Sequence, residues 1–173
     1  MVPQKILDYL EENELEAEWI EHDRAVSALN LARSLNLRGQ ELAKPVIAVA
    51  DGEFVICVLP ANRTLDLRLL GRALDADSVR LADEEEFADR FGDAELGAEP
   101  PFGKLYGMPV VLDSTLAEQE TIVFRAGSHV DALELPMEEY LAVEAPQIEM
   151  LFWQQRPGNP IARRPIGEMT QQP

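Results

Sequence analysis

The sequence predicts an α+β fold: a single domain in which a mixed central β-sheet is flanked by helices. Three observations carry this. Two apolar, β-branched stretches, PVIAVAD (45–51) and EFVICVLP (53–60), are joined at Asp51-Gly52, which is a strong hairpin signal. Two more strand-like runs, MPVVLD (108–113) and ETIVFRAG (120–127), follow in the second half. Segments with helical spacing of apolar residues lie on either side of these strands. No repeat is visible in the 173 residues, a length that suits one domain with a real core.

Taken in order, residues 3–14 set Ile6, Leu7 and Leu10 at helical spacing, with Pro3 near the first turn, where a missing N–H costs little. AEWIEH (17–22) alternates like a short strand. Ser27 is placed to cap a helix through LNLARSLNL, which Gly39 is expected to stop. After the hairpin, LDLRLLGRAL (65–74) reads as an amphipathic helix. DEEEFADRF (83–91) reads as another, its acidic start suiting the positive end of the helix dipole. GAEPPFG (97–103) cannot be regular, since two prolines lie between two glycines. HVDALEL (129–135) predicts a strand and PMEEYLAV (136–143) a closing helix. After Ala145 five prolines interrupt any period, so residues 1–145 are expected to form the domain and 146–173 a proline-rich tail. A short piece around Leu151, Phe152 and Trp153 is the part of that tail expected to dock.

Composition bounds the function. The formal net charge is −17, with only three lysines, Lys5, Lys44 and Lys104. Such a polyanion does not bind long nucleic acids non-specifically, because counterion release needs clustered Lys and Arg. Residues 24–44 are the exception, holding Arg24, Arg33, Arg38 and Lys44 against one acid, Glu41. Any nucleic-acid contact is therefore expected to be small and local. No apolar run approaches the ~20 residues that span a bilayer, and the acidic amphipathic start does not read as a signal peptide. One cysteine, Cys57, excludes an internal disulfide and fits a reducing cytoplasm. One Cys and two His leave too few ligands for a structural zinc site.

Familiar catalytic signatures (G-x-S-x-G, the Walker loop, H-E-x-x-H) are absent. Cys57 lies in an apolar β run and reads as a small buried hydrophobe. Lys44 stands between a helix stop and a strand start. It is either a solvated loop lysine or a cation reaching into a cleft to hold a phosphate or polarise a carbonyl. GAEPPFG could aim backbone N–H groups at a ligand, or be a simple connection. His22 and His129 could each serve as base, orienting donor or structural side chain. Asp113 could cap the next turn or anchor a substrate amine.

In order along the chain, His22, the helix 26–37, Lys44 leading into strands that end in LPANRTLDL, then ELGAEPPFGKLYGMPVVLD and FRAGSH, resemble the YbaK/prolyl-tRNA-synthetase-associated editing domain. The resemblance covers residues 17 to 143. It implies the mixed sheet with flanking helices, and hydrolysis of the ester of mischarged aminoacyl-tRNA by a trans-acting cytoplasmic deacylase. It implies no cofactor, no metal and no covalent intermediate. The implied partners are the aminoacyl-tRNA acceptor end and an aminoacyl-tRNA synthetase, with neither DNA nor a membrane. Carried over by position, Lys44, Gly97, Ala98 and Pro101 become catalytic. His22, Phe102, Gly103, Asp113, Gly127, Ser128 and His129 become substrate-binding. Where family members often carry Ser or Thr after the lysine, this chain has Pro45. That departure keeps a second reading open, a non-catalytic aminoacyl- or nucleotide-binding regulatory module. In either case Lys44, the loop 97–103 and Gly127 are expected to line one cleft, with His129 close by.

Overall fold

A computed structural model describes residues 1–153. The element order is α1 (Gln4–Glu12), β1 (Glu18–Glu21), α2 (Ala28–Ser34), β2 (Ala43–Ala50), β3 (Glu53–Pro60), α3 (Leu67–Leu74), β4 (Val79–Leu81) and α4 (Glu84–Phe87). A 3₁₀ turn (Ala88–Phe91) leads on to α5 (Gly103–Tyr106), β5 (Val110–Asp113), α6 (Ser114–Ala117), β6 (Thr121–Arg125), β7 (Asp131–Pro136), α7 (Met137–Glu144) and β8 (Gln147–Glu149). The strands form a five-stranded mixed sheet, β4-β2-β3-β5-β8, and a three-stranded antiparallel sheet, β1-β7-β6. Pairing of β5 with β3 and of β8 with β5 is parallel, and the remaining pairs of the large sheet are antiparallel. The α+β class and mixed sheet expected from the sequence are present, and the second, smaller sheet adds to them.

The hairpin forms where Asp51-Gly52 places it. Both residues have positive φ, 48° and 84°, as a two-residue turn matched to strand twist requires. β3 is apolar on both faces: Ile56 and Val58 join the main core, while Val55, Cys57 and Leu59 pack under α3. A central strand covered on both sides reads as a continuous apolar run, which is what EFVICVLP is. Cys57 is fully buried, and burial pushes its thiol up to about 12, so it acts as a small hydrophobe.

Two boundaries differ from expectation. α2 starts at its Ser27 cap, whose Oγ accepts from Asn30 N–H at 3.1 Å, but it ends before Asn36, whose φ is 55°. Asn tolerates the left-handed region, so the chain turns there and not at Gly39. The domain does not end at Ala145. Residues 147–149 form β8 beside β5, and Leu151 N–H donates to buried Asp113 Oδ2 at 2.9 Å. Leu151 and Phe152 are buried and Trp153 is exposed, so the docked piece is part of the body. The rest of the proline-rich tail lies outside the described residues. Among the described residues, no helix is long and apolar enough to cross a membrane.

Candidate functional site

The two sheets meet at the start of β2, where Leu42 forms a parallel bridge to Val123 of β6. That junction sets Lys44, two residues into β2, near Arg125, the last residue of β6. The loop after residue 95 passes alongside. Gly97, at φ 82°, makes the turn that brings its backbone to the junction. Lys44, Pro45, Gly97, Glu99 and Arg125, with the apolar walls Val26 and Leu42, line a cavity of about 230 Å³.

Each charged residue of this cavity has a physical reason for its position. Arg125 is buried and staples two segments: Nη1 donates to Gly97 O at 2.8 Å and Nη2 to Ala25 O at 2.7 Å. Its Nε is buried without a partner among the described residues. Burial pulls the guanidinium below its ordinary range, opposed by the Glu99 carboxylate. Lys44 Nζ donates to Arg63 O at 2.7 Å, and partial burial lowers its pKa from the ordinary lysine value. Glu99 is buried, and its Oε1 accepts from Gly97 N–H at 2.9 Å. Two cations and one anion give this cavity a formal positive charge inside a chain of net charge −17. An anionic or carbonyl-bearing ligand is favoured here over the rest of the surface.

Pro45 also lines the cavity. It pairs with Val58 of β3 but stands in the half of β2 that β4 does not reach, since β4 pairs only with Ala48–Ala50. A missing N–H is tolerated where a strand lacks its second neighbour.

The structure gathers some of the residues expected at the site and disperses others. Lys44 and Gly97 share the cavity. Ala98 is fully buried: its N–H donates to Glu95 O and its carbonyl accepts from Gly127 N–H. The N–H groups of Gly97 and Ala98 are thus engaged within the protein, and Pro100 and Pro101 have none to offer. Pro101 presents its carbonyl to the Tyr140 hydroxyl. Phe102 is fully buried, stacked among Tyr9, Phe124 and Tyr140. Gly103 opens α5 so tightly against the Met108 carbonyl that a side chain would collide with it.

Gly127 does not line the cavity. Its φ is 82°, and it lies against Pro3, where an added Cβ would come within 2.7 Å of the ring. Ser128 donates to Asp131 Oδ2, and Asp131 also holds the Met1 ammonium at 2.7 Å. Asp113 is fully buried and fulfils its capping alternative, with Oδ1 accepting from Thr115 N–H at 2.9 Å. His129 stands directly behind the loop, with Cε1 3.5 Å from where a Gly97 Cβ would be. Its Nε2 lies 2.9 Å from Leu96 O, which assigns the proton to Nε2 because a carbonyl only accepts. Its Nδ1 is left buried without a partner among the described residues. His22 lies in a separate depression with Ile20, Asp23 and Ser34.

Sequence reasoning missed Arg125 as a site residue and took in Glu99 only as part of the loop 97–103, with no role of its own. A signal existed: an arginine closing the apolar run TIVF is unusual in a buried strand and asks for a partner.

The family model of the aminoacyl-tRNA editing domain matches residues 22–143. The proline–tRNA ligase of Lactobacillus helveticus (strain DPC 4571) is 27% identical over 97 residues, 56% of this chain and 17% of the ligase. That of Acidithiobacillus ferrooxidans (strain ATCC 53993 / BNL-5-31) is 34% identical over 82 residues, 47% of this chain and 14% of the ligase. The chain thus spans less than a fifth of these relatives. Among solved structures, a candidate trans-editing enzyme for prolyl-tRNA synthetase aligns with a TM-score of 0.77 at 20% identity, covering 87% of this chain and 96% of that one. A candidate signal transduction protein from Marinobacter aquaeolei VT8 aligns with a TM-score of 0.70 at 19% identity, covering 89% of this chain and 31% of that one. The structural likenesses establish a shared fold.

Proposed function

The chain belongs to the aminoacyl-tRNA editing domain family, and on that premise we propose that it is a trans-acting deacylase that hydrolyses the ester of mischarged tRNA. The observation that carries this reading is the meeting of Lys44 and Gly97 in one positively charged cavity of an otherwise acidic protein. At about 230 Å³ the cavity lies below the ~300 Å³ at which drug-sized pockets begin, so a small aminoacyl group suits it.

The ester between an amino acid and a ribose hydroxyl is already activated, so modest help suffices. Lys44 steadies the terminal phosphate or the ester carbonyl. Water attacks, guided by the neighbouring ribose hydroxyl, while Glu99, the carboxylate of the cavity, is engaged through Oε1 by Gly97 N–H. A backbone N–H of the loop stabilises the developing oxyanion, an effect worth roughly 3 kcal/mol per donor. Cavity size sets selectivity. One methylene discriminates by only ~1–3 kcal/mol, so the site excludes large side chains better than it chooses among small ones.

One observation favours the second reading, a binding module without turnover: the N–H groups of Gly97 and Ala98 already have acceptors within the protein. A panel of tRNAs mischarged with small and large amino acids separates the two. Clearance of a small aminoacyl ester supports the deacylase, and binding to charged tRNA without clearance supports the module.

A further inference from the structure

We propose that Glu99 reads the α-ammonium of the aminoacyl group, and that engaging it releases the Gly97 N–H toward the ester carbonyl. The inference rests on the reading of the cavity as an aminoacyl site and adds what that reading lacks, a group for the substrate's amine and a donor for its oxyanion. Glu99 is 8% exposed, yet its only hydrogen bond among the described residues is from Gly97 N–H to Oε1 at 2.9 Å. Neither Lys44 nor Arg125 forms an ion pair with it. The Arg125 guanidinium feels the charge of Glu99 without pairing with it. Glu99 Oε2, which accepts no hydrogen bond among the described residues and is not a sealed buried atom, stays open to the cavity for a ligand cation. An aminoacyl ester brings its own cation, the protonated α-amine, two bonds from the carbonyl carbon under attack.

The arrangement couples recognition to chemistry. The carboxylate occupies the N–H of Gly97, a loop residue in the cavity wall. An ammonium seated on the free Oε2 draws the carboxylate toward itself and away from that N–H. Once drawn to the ammonium, the carboxylate uncovers the N–H where negative charge develops on the carbonyl. Arg125, holding the Gly97 carbonyl at 2.8 Å, keeps the peptide in place while its N–H changes partner. An ester without a charged α-amine leaves the donor covered.

Two non-hydrolysable probes test this at about pH 6.5, where an α-amine is protonated. One is a 3′-(2-aminoacyl)amido-adenosine with a small side chain. The other is its 2-hydroxyacyl isostere, of equal size without the charge. The wild type is expected to bind the amine about tenfold more tightly, as a charge-assisted hydrogen bond requires. Glu99→Gln is expected to bring the two affinities within about twofold, with an unchanged melting temperature. Equal affinities in the wild type, no binding of either probe, or full preference retained by a folded Glu99→Gln would each overturn the proposal. If Glu99→Gln does not fold, Glu99→Asp serves instead: its shorter reach should shrink the preference, and an undiminished preference overturns the idea. Deacylation of charged tRNA is measured separately. Amine-dependent binding without clearance would sink the hydrolase reading and leave Glu99 its role.

Discussion

Residues 97–99 and 100–103 belong to one short loop and meet opposite surroundings. The first part lines the cavity, with Gly97 and Glu99 beside Lys44 and Arg125. The second is held in the core, where Tyr140 donates to Pro101 O at 2.8 Å and Phe102 packs in T-shaped contact with Phe124, centroids 5.2 Å apart. The prolines between the parts fix the path, so the core half sets where the cavity half stands. A motif that reads as one catalytic unit is therefore two: a part that can touch a ligand, and an anchor. Substitutions in the two halves should fail differently, in rate on the cavity side and in stability on the core side.

The largest effect is expected at the cavity. Lys44→Ala should slow deacylation by about 10³-fold, the upper range for losing one electrostatic group that stabilises a transition state. Its stability cost should stay within ~1 kcal/mol, since the lost bond to Arg63 O is a partly exposed one. Lys44→Arg should rescue only in part, because a planar guanidinium does not replace a compact ammonium. Full activity in the alanine variant, measured on a tRNA the wild type clears, would break the comparison on its cavity side. The binding-module reading would then lead.

Phe102→Ala tests the other half. Removing a fully buried aromatic ring should cost ~3–5 kcal/mol in urea unfolding. Turnover of the fraction that remains folded should change far less than in Lys44→Ala. A large loss of rate with native stability would mean that Phe102 touches substrate, and the division of the loop would be wrong.

The residues that fared well in sequence reasoning are those whose neighbours along the chain carry the information. Asp51-Gly52 reads as a hairpin because turn chemistry is local, and Lys44 with Gly97 reads as a pair through the order of motifs. Gly127 shows where this stops. Motif order says that a glycine is needed, but not that Pro3 is what it must admit. For Asp113, Ser128 and His129, residue type cannot tell whether a polar group is already satisfied within the fold, and each has internal partners. Strand β8 was not legible either: QIE between Pro146 and Met150 has no period long enough to register, and only its place beside β5 makes it a strand.

That strand supplies a third test. A chain ended at Ala145 loses β8, the Leu151 bond to Asp113, and the buried side chains of Leu151 and Phe152. At ~1.5–3 kcal/mol per buried side chain, the two together should cost about 3–6 kcal/mol, lowering the melting temperature. Phe152 also packs under the Arg63 guanidinium, and the Arg63 carbonyl holds Lys44, so a truncated chain that still folds should lose part, but not all, of its Lys44-dependent clearance. An unchanged melting temperature would restore 146–153 to the status of an appendage.

The smallest effect sought concerns the tRNA itself. The basic stretch 24–44 carries four cations, but Arg38 is held by Glu41 at 3.1 Å, and that carboxylate is drawn below its usual range by the contact. Among the described residues Arg24 and Arg33 form no ion pair, so with Lys44 they leave three cations for phosphates. At about −0.7 per phosphate for single-stranded ends, the logarithm of affinity should fall with the logarithm of salt at a slope of about −2. Arg33→Ala should flatten that slope by about 0.7, whereas Arg38→Ala should leave it nearly unchanged, its charge being already compensated. Binding of uncharged tRNA by wild type and both variants, titrated across salt concentrations, decides it. A slope several units steeper would mean that many phosphates are neutralised, and that tRNA rests on a surface far larger than the cavity mouth. Equal slopes in the two variants would instead show that the Arg38–Glu41 pair opens when tRNA binds, so that charge on this face is set by the ligand and not by the resting fold.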